Sequence, residues 1–211
     1  MHIVFSIPDV TTDPIRPDRI LRLVIQNVGP TNFQDLAILN NLIRLSENAA
    51  SEYTQGTISI REFWEQTNLL NMRAATNSAT QFEACVTSVF RAMNHIRAIR
   101  KRSHILSKSK RMLPSSLSIY TPALHDQVRK LRNEIQHSDE SILKGKIVQS
   151  QFYLALATGT DVPTPDGNSV QTIDRVEIGA LEISFATLSR AIQELRSCCE
   201  ALAEGEYGPS T

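Results

Sequence analysis

The apolar residues of this chain recur mostly at steps of three and four, which is the spacing of one face of an α-helix. The first such stripe predicts a helix from about Phe33 to Tyr53. Thr31 or Asn32 is suited to begin this helix as an N-cap, because either side chain can accept a hydrogen bond from a free backbone N–H. Gly56 is predicted to end it.

Two further stripes predict helices in the middle of the chain. One helix begins near Ser78 or Thr80, runs into a basic segment and stops before Pro114, since proline cannot continue a helix. Its stripe comprises Phe82, Val86, Val89, Met93 and Ile96. The next helix contains the sequence VRKLRNEIQHSDE. Its stripe comprises Tyr120, Leu124, Val128, Leu131 and Ile135.

The last helix is predicted from six apolar positions: Leu181, Phe185, Leu188, Ile192, Leu195 and Leu202. Before it, QFYLALATG and NSVQTIDRV flank TDVPTPDGN, whose Pro and Asp-Gly residues favour a turn. Together they predict a β-hairpin at about 151–176. A hairpin alone is only marginally stable, so we expect it to pack on the helices or to pair with another strand. The N-terminal HIVFSI alternates like a short strand and is a candidate partner.

These elements predict a mainly α fold, namely a helical bundle of about four long helices with a small β-hairpin addition. The predicted parts are an N-terminal extended or strand segment at 1–30, the bundle with its hairpin insertion at 31–205, and a flexible tail at 206–211. RILRLVIQNVG, in the first part, is compatible with a strand or a helix. The length of 211 residues and the hydrophobic content of 41 % suffice for one domain with a sizeable core.

The net charge of the chain is zero, but the charges are unevenly distributed. No acidic residue lies between Glu83 and Asp126, and residues 91–132 contain eleven of the 22 Lys and Arg against one acid. From Asn133 onward, twelve acids stand against five Lys and Arg. A local basic surface attracts polyanions even at zero net charge. The candidate contacts are Arg97, Arg100, Lys101, Arg102, Lys108, Lys110 and Arg111. A solvated helix end and loop would explain the same run of charges.

Other features exclude several classes of protein. Three cysteines, two of them adjacent, predict no disulfide framework and favour a reducing cytoplasm. No run approaches the roughly 18 apolar residues of a membrane helix, and MHIVFSIPDV lacks the features of a secretory signal. No His, Cys and carboxylate residues have metal-ligand spacing, and no Gly-rich phosphate loop is present. We therefore expect a cytoplasmic protein that uses no metal or cofactor and does not contact a membrane.

The candidate chemistry lies in the group Arg132, Asn133 and His137 on the third predicted helix. Asn133 and His137 share a face, whereas Arg132 and His137 are about 140° apart around the helix and should not touch each other. Both can still converge on a ligand beside the helix or across a subunit interface. Arginine binds phosphate oxygens with two N–H groups, and histidine transfers protons near neutral pH. RNA carries its own nucleophile, the 2′-hydroxyl, so such a pair suits its cleavage without a metal.

The sequence LRNEIQH resembles the R-N-x-x-x-H signature of the HEPN superfamily, a group of small helical-bundle domains. Many members are metal-independent endoribonucleases of toxin–antitoxin, phage-defence and RNA-processing systems. The resemblance covers the motif and the general helical layout. It implies that Arg132 and His137 are the catalytic pair, that Asn133 assists them, and that two motifs meet in a homodimer. It also implies RNA as substrate, bound along the basic residues named above, and a cognate antitoxin or defence partner protein.

Two alternatives to an RNA-cleaving hydrolase stay open at this point. Some members of the superfamily bind RNA without cutting it, so the chain is alternatively a non-catalytic HEPN-like protein- or RNA-binding module. From the residues alone, Arg132 and His137 are also compatible with the ordinary solvated edge of a core helix. An enzyme should cut RNA in the presence of a chelator, whereas a binding module should only shift it in a gel.

Overall fold

The computed structural model describes residues 2–15, 33–65, 72–101, 121–145, 159–163 and 169–204. Within these ranges the chain forms four α-helices: α1 (Phe33–Glu65), α2 (Met72–Lys101), α3 (Pro122–Leu143) and α4 (Phe185–Glu204). It also forms five short strands: β1 (His2–Phe5), β2 (Gly159–Pro163), β3 (Ser169–Ile173), β4 (Arg175–Ile178) and β5 (Leu181–Ser184). The prediction of a mainly helical bundle with a small β addition is confirmed.

The core lies between the helices and is built from the predicted stripes. α1 packs along α2 and against α4, while α3 packs on α2. Three aromatic rings from three helices meet at the centre: Phe82 lies 6.2 Å from Tyr53 and 5.2 Å from Phe185, between ring centroids. The Tyr53 hydroxyl donates a hydrogen bond to the Pro8 carbonyl oxygen at 2.8 Å, which ties the N-terminal segment to this core.

Helix α1 does not end at Gly56, as predicted, but continues to Glu65. Gly56 is needed for packing instead, because a Cβ at this position would lie 3.0 Å from two ring carbons of Phe82 on α2. Nor does α2 begin at Ser78 or Thr80, since it starts at Met72. The buried Ser78 hydroxyl donates a hydrogen bond to the Gly56 carbonyl oxygen at 3.2 Å, so it joins two helices where a cap was expected.

We predict that Gly56→Ala destabilises the protein by about 1–3 kcal/mol, the usual cost of overpacking a core. Alanine alone would favour the helix by roughly 0.8–1 kcal/mol, but Phe82 is fully buried among other rings and cannot move aside freely. Gln55→Ala, at the exposed neighbouring position, is the matched control. The midpoint of urea unfolding measures both, and a Gly56→Ala protein as stable as Gln55→Ala would contradict the packing argument.

The predicted hairpin is present as β2 and β3, which pair antiparallel with Gly159 opposite Ile173. Its first strand lies later than expected, because β2 falls in TDVP, which was assigned to the tip; residues 151–158 lie outside the described residues. The N-terminal strand is the expected partner: β1 pairs parallel with β3, in the order β1-β3-β2. Burial of Ile7, Val10 and Ile15 in the main core packs the N-terminal segment onto the bundle.

A second hairpin, β4 and β5, was not predicted, and Leu181 was wrongly assigned to the last helix. The two strands are joined at Gly179, whose φ of 62° suits a glycine in a tight turn. Ile183 is buried and Glu182 is exposed, which is the alternation of a strand. The helix α4 begins only at Phe185, where the Ser184 hydroxyl accepts a hydrogen bond from the Thr187 N–H at 3.1 Å as an N-cap.

Two of the predicted segments lie outside the described residues. These are RILRLVIQNVG and the tail at 206–211.

All three cysteines are described and are buried free thiols, and burial raises the pKa of the Cys198 thiol to about 11. In the described part of the chain, every helix is too short or too polar to cross a membrane.

Candidate functional site

Helix α3 carries the Arg-Asn-x-x-x-His group, and its own sequence explains where it begins and ends. Thr121 caps it: the Leu124 N–H donates to the Thr121 hydroxyl oxygen at 3.2 Å, and Pro122 occupies the first helical position, where no N–H is needed. The helix ends before Gly145, whose φ of 66° is typical of a helix C-terminus. Leu124, Val128 and Leu131 are buried toward the bundle. Arg132 follows Leu131 and lies beside this buried stripe, whereas Asn133 and His137 lie on the opposite side of the helix.

The Arg132 side chain is held on the surface of α2. Its guanidinium carbon lies 5.6 Å from the centre of the Phe90 ring, which is a cation–π contact. One terminal nitrogen, Nη1, donates to the Asn133 Oδ1 at 3.3 Å. The Nε is buried and has no hydrogen-bond partner among the described residues. The guanidinium is thus held between Phe90 and Asn133, with its Nε turned away from solvent.

His137 lies further along α3 and faces solvent, with 63 % of its side chain exposed. Its Nδ1 is 3.9 Å from the Glu140 Oε1, which is close enough for a weak ion pair when the ring is protonated. Among the described contacts, no hydrogen bond or ion pair joins His137 to Arg132, in agreement with their separation around one helix. The structure of the single chain therefore brings Asn133 to Arg132 but leaves His137 apart and free to meet a large ligand.

Three of the seven predicted basic contacts, Arg97, Arg100 and Lys101, lie in the last turns of α2. Arg97 and Arg100 line a groove of about 510 Å³ between this end of α2 and the first turns of α3. Lys101 is exposed at the end of α2 and is absent from that lining. The other four, Arg102, Lys108, Lys110 and Arg111, lie outside the described residues.

Sequence reasoning missed His125 and Arg129, which line the same groove from α3. The His125 Nε2 lies 3.1 Å from the Asn94 Oδ1, and its ring centre lies 5.6 Å from that of Phe90. Burial, followed by the nearby charges of Arg97 and Arg129, lowers the pKa of His125. The signal in the sequence was the distance of seven residues from His125 to Arg132, which places both on one face of a helix.

Phe90 connects the groove with the motif. It contacts the ring of His125 on one side and the guanidinium of Arg132 on the other, each at 5.6 Å between centres. A third histidine, His95, is occupied within the fold: its Nδ1 is 2.8 Å from the Arg91 carbonyl oxygen and its Nε2 is 2.9 Å from the Asn41 Nδ2. His95 is therefore a structural residue between α1 and α2, whereas His125 and His137 border the candidate site.

The site is a protein surface of arginine, histidine and amide groups. No group of three or more His, Cys, Asp or Glu residues that could hold a metal ion occurs in the described ranges. Comparison of the chain with protein-family models, with curated proteins and with solved structures finds no match.

Proposed function

We propose that this protein is a metal-independent endoribonuclease of the toxin or defence type. The observation that carries the proposal is the state of the motif on α3. Arg132 is fixed by Phe90 and Asn133, and His137 is exposed on the same helix. A fixed cation and an exposed histidine are the groups that cleavage of a phosphodiester requires.

The reaction needs only groups that the protein and RNA supply. The 2′-oxygen forms a bond to phosphorus, the bond from phosphorus to the 5′-oxygen breaks, and the products are a 2′,3′-cyclic phosphate and a 5′-hydroxyl. His137 takes the proton from the 2′-hydroxyl or gives one to the 5′-oxygen. Arg132 stabilises the charge that develops on the phosphate oxygens, and Asn133 holds Arg132 in position.

The direct test is cleavage of RNA by the purified chain in the presence of EDTA. We expect products with cyclic phosphate ends at the same rate with and without the chelator. Mass spectrometry of the products identifies the ends. Loss of activity with EDTA, or products that carry 5′-phosphates, would contradict the proposed chemistry.

We also predict a homodimer in which the two α3 helices approach each other. A single His137 cannot easily both take and give a proton, and Arg132 and His137 do not meet within one chain. Sedimentation should show a dimer, and His137→Cys protomers should be linked by a short bismaleimide. The three native thiols are buried, so background reaction should be low. Arg73→Cys is the control, because Arg73 is exposed at the start of α2, far from α3 residue His137, and this variant should remain unlinked.

A monomer that cuts RNA at the full rate would contradict the dimer.

The second candidate function is a non-catalytic RNA- or protein-binding module. It is favoured by one observation, namely that Arg132 and His137 each contact a neighbour on their own helix, Asn133 and Glu140. In that case the protein should shift RNA in a gel and leave it intact at every protein concentration.

A further inference from the structure

The groove between α2 and α3 concentrates positive charge from both helices. Arg97 and Arg100 line it from α2, and Arg129 lines it from α3. Among the described lining residues the single carboxylate is Asp126, which is bound by Arg129 and, at 2.9 Å, by Lys130. The described lining therefore carries three arginines against one carboxylate, and Lys130, outside the lining, offsets part of the charge of Asp126, so the groove keeps a net positive charge and should attract an anion.

The N-terminus of α3 opens into the same groove. Thr121 and Pro122 are part of its lining and belong to the cap and first position of the helix. A helix N-terminus carries a partial positive charge, roughly half of an elementary charge, and favours phosphate groups. The helix terminus thus adds to the attraction that the three arginines supply.

The size and the lining of the groove fit more than a bare phosphate. Its volume of about 510 Å³ lies within the roughly 300–1,000 Å³ of sites for small organic ligands. Pro122 is exposed in the lining and the His125 ring is half-buried there, so these two rings are the flat and apolar surface that a ligand can contact. Two rings beside a cluster of arginines suit a ligand with one anionic end and one flat or apolar end.

We propose that this groove binds one nucleotide of an RNA strand, with its phosphate between Arg97 and Arg129 and its sugar or base against Pro122 and His125. The inference rests on the proposed function for the source of the phosphate. The position supports this source, because Phe90 contacts both His125 and Arg132. Seven residues of helix separate them by about 10 Å, so the bound nucleotide is a near neighbour of the cleaved bond on the strand.

The test measures RNA affinity by fluorescence anisotropy over a range of salt concentrations. A short single-stranded 2′-O-methyl RNA is the probe, because it lacks the 2′-hydroxyl and cannot be cut. Arg97→Gln and Arg129→Gln should each weaken binding for any sequence and reduce the steepness of log K against log salt by about 0.7, the value for one lost contact with a single strand. Arg129→Lys should keep the steepness and lose affinity, since it keeps the charge without the two-pronged contact.

Arg73→Gln is the matched control, because it removes an exposed arginine about 36 Å away on the same helix. It should leave both affinity and steepness unchanged. If Arg97→Gln and Arg129→Gln left the slope of log K against log salt unchanged while both variants still cut ordinary RNA, the nucleotide site in the groove would be overturned and the ribonuclease would not. A wild-type protein that binds the probe but never cuts ordinary RNA would overturn the ribonuclease and leave the groove supported.

A second measurement separates RNA from a free nucleotide as the ligand. Uridine monophosphate and inorganic phosphate are titrated separately while the His125 ring resonances are followed by NMR. Small changes in the His125 chemical shifts with the mononucleotide, together with tight binding of the 2′-O-methyl RNA, would support an RNA site. Tight binding of the mononucleotide with no binding of the RNA would overturn the assignment to RNA.

Discussion

Replacing His137 by alanine should abolish RNA cleavage and any toxicity of the protein in its host cell, while leaving the fold intact. The loss of a general acid or base typically lowers the rate by a factor on the order of 10²–10⁴. The fold should survive because 63 % of the His137 side chain is exposed and its described contact is a weak one to Glu140. Cleavage of a labelled RNA under single-turnover conditions measures the effect.

Gln136→Ala is the matched control for this change. Gln136 is the exposed neighbour of His137 on α3, so the substitution tests the same surface without removing a group that titrates. Circular dichroism and the melting temperature should agree among the wild type and both variants. If folded His137→Ala cut RNA at the wild-type rate, then His137 would be an ordinary surface histidine and the resemblance of the motif would be accidental.

The helical part of the fold could be predicted because burial in this bundle follows a single period. Phe82, Val86, Val89, Met93 and Ile96 were assigned to one stripe, and each is at most 1 % exposed. The boundaries were predicted less well. A glycine such as Gly56 is typical of a helix end, but its role here is set by contact with Phe82 on another helix. Such a tertiary contact cannot be read from the neighbouring sequence.

The second hairpin was missed for a similar reason. Leu181 and Phe185 are four residues apart, so the spacing alone cannot distinguish a helix from a short strand followed by a helix. The signals available in the sequence were Gly179, which suits a tight turn, and Ser184, which suits a helix N-cap. Two short strands gain stability here by packing against α3, since the Gln127 side chain on α3 donates to the Glu182 carbonyl oxygen at 2.8 Å.

The candidate site could be predicted in part. The motif residues Arg132, Asn133 and His137 were identified from their own spacing, and all three lie on α3, the third helix that the sequence predicted. Their catalytic role stays a prediction. The groove was only half identified, because the candidate contacts were chosen between Arg97 and Arg111, whereas His125 and Arg129 lie on the next helix. Residues that converge from two helices cannot be recognised from either sequence segment alone.

Replacing Arg132 should have the second large effect, and the choice of substitute separates its charge from its shape. Arg132→Ala should lower the rate of cleavage by on the order of 10²–10³, which is the usual cost of removing one donor to a developing oxyanion. Arg132→Lys should be nearly as poor. Lysine keeps a positive charge near Phe90, but its ammonium cannot contact two phosphate oxygens in the manner of a guanidinium.

The two substitutions should differ more in stability than in activity. The contact with Phe90 contributes about 0.5–1 kcal/mol at such a partly exposed position, and lysine retains some of it while alanine retains none. Lys144→Ala, which removes an exposed cation just beyond α3, should change neither property beyond a few tenths of a kcal/mol. Rates at saturating RNA together with urea unfolding separate the two effects. A fully active Arg132→Lys protein would show that Arg132 acts only through its charge, and a fully active Arg132→Ala protein would remove Arg132 from the proposed reaction.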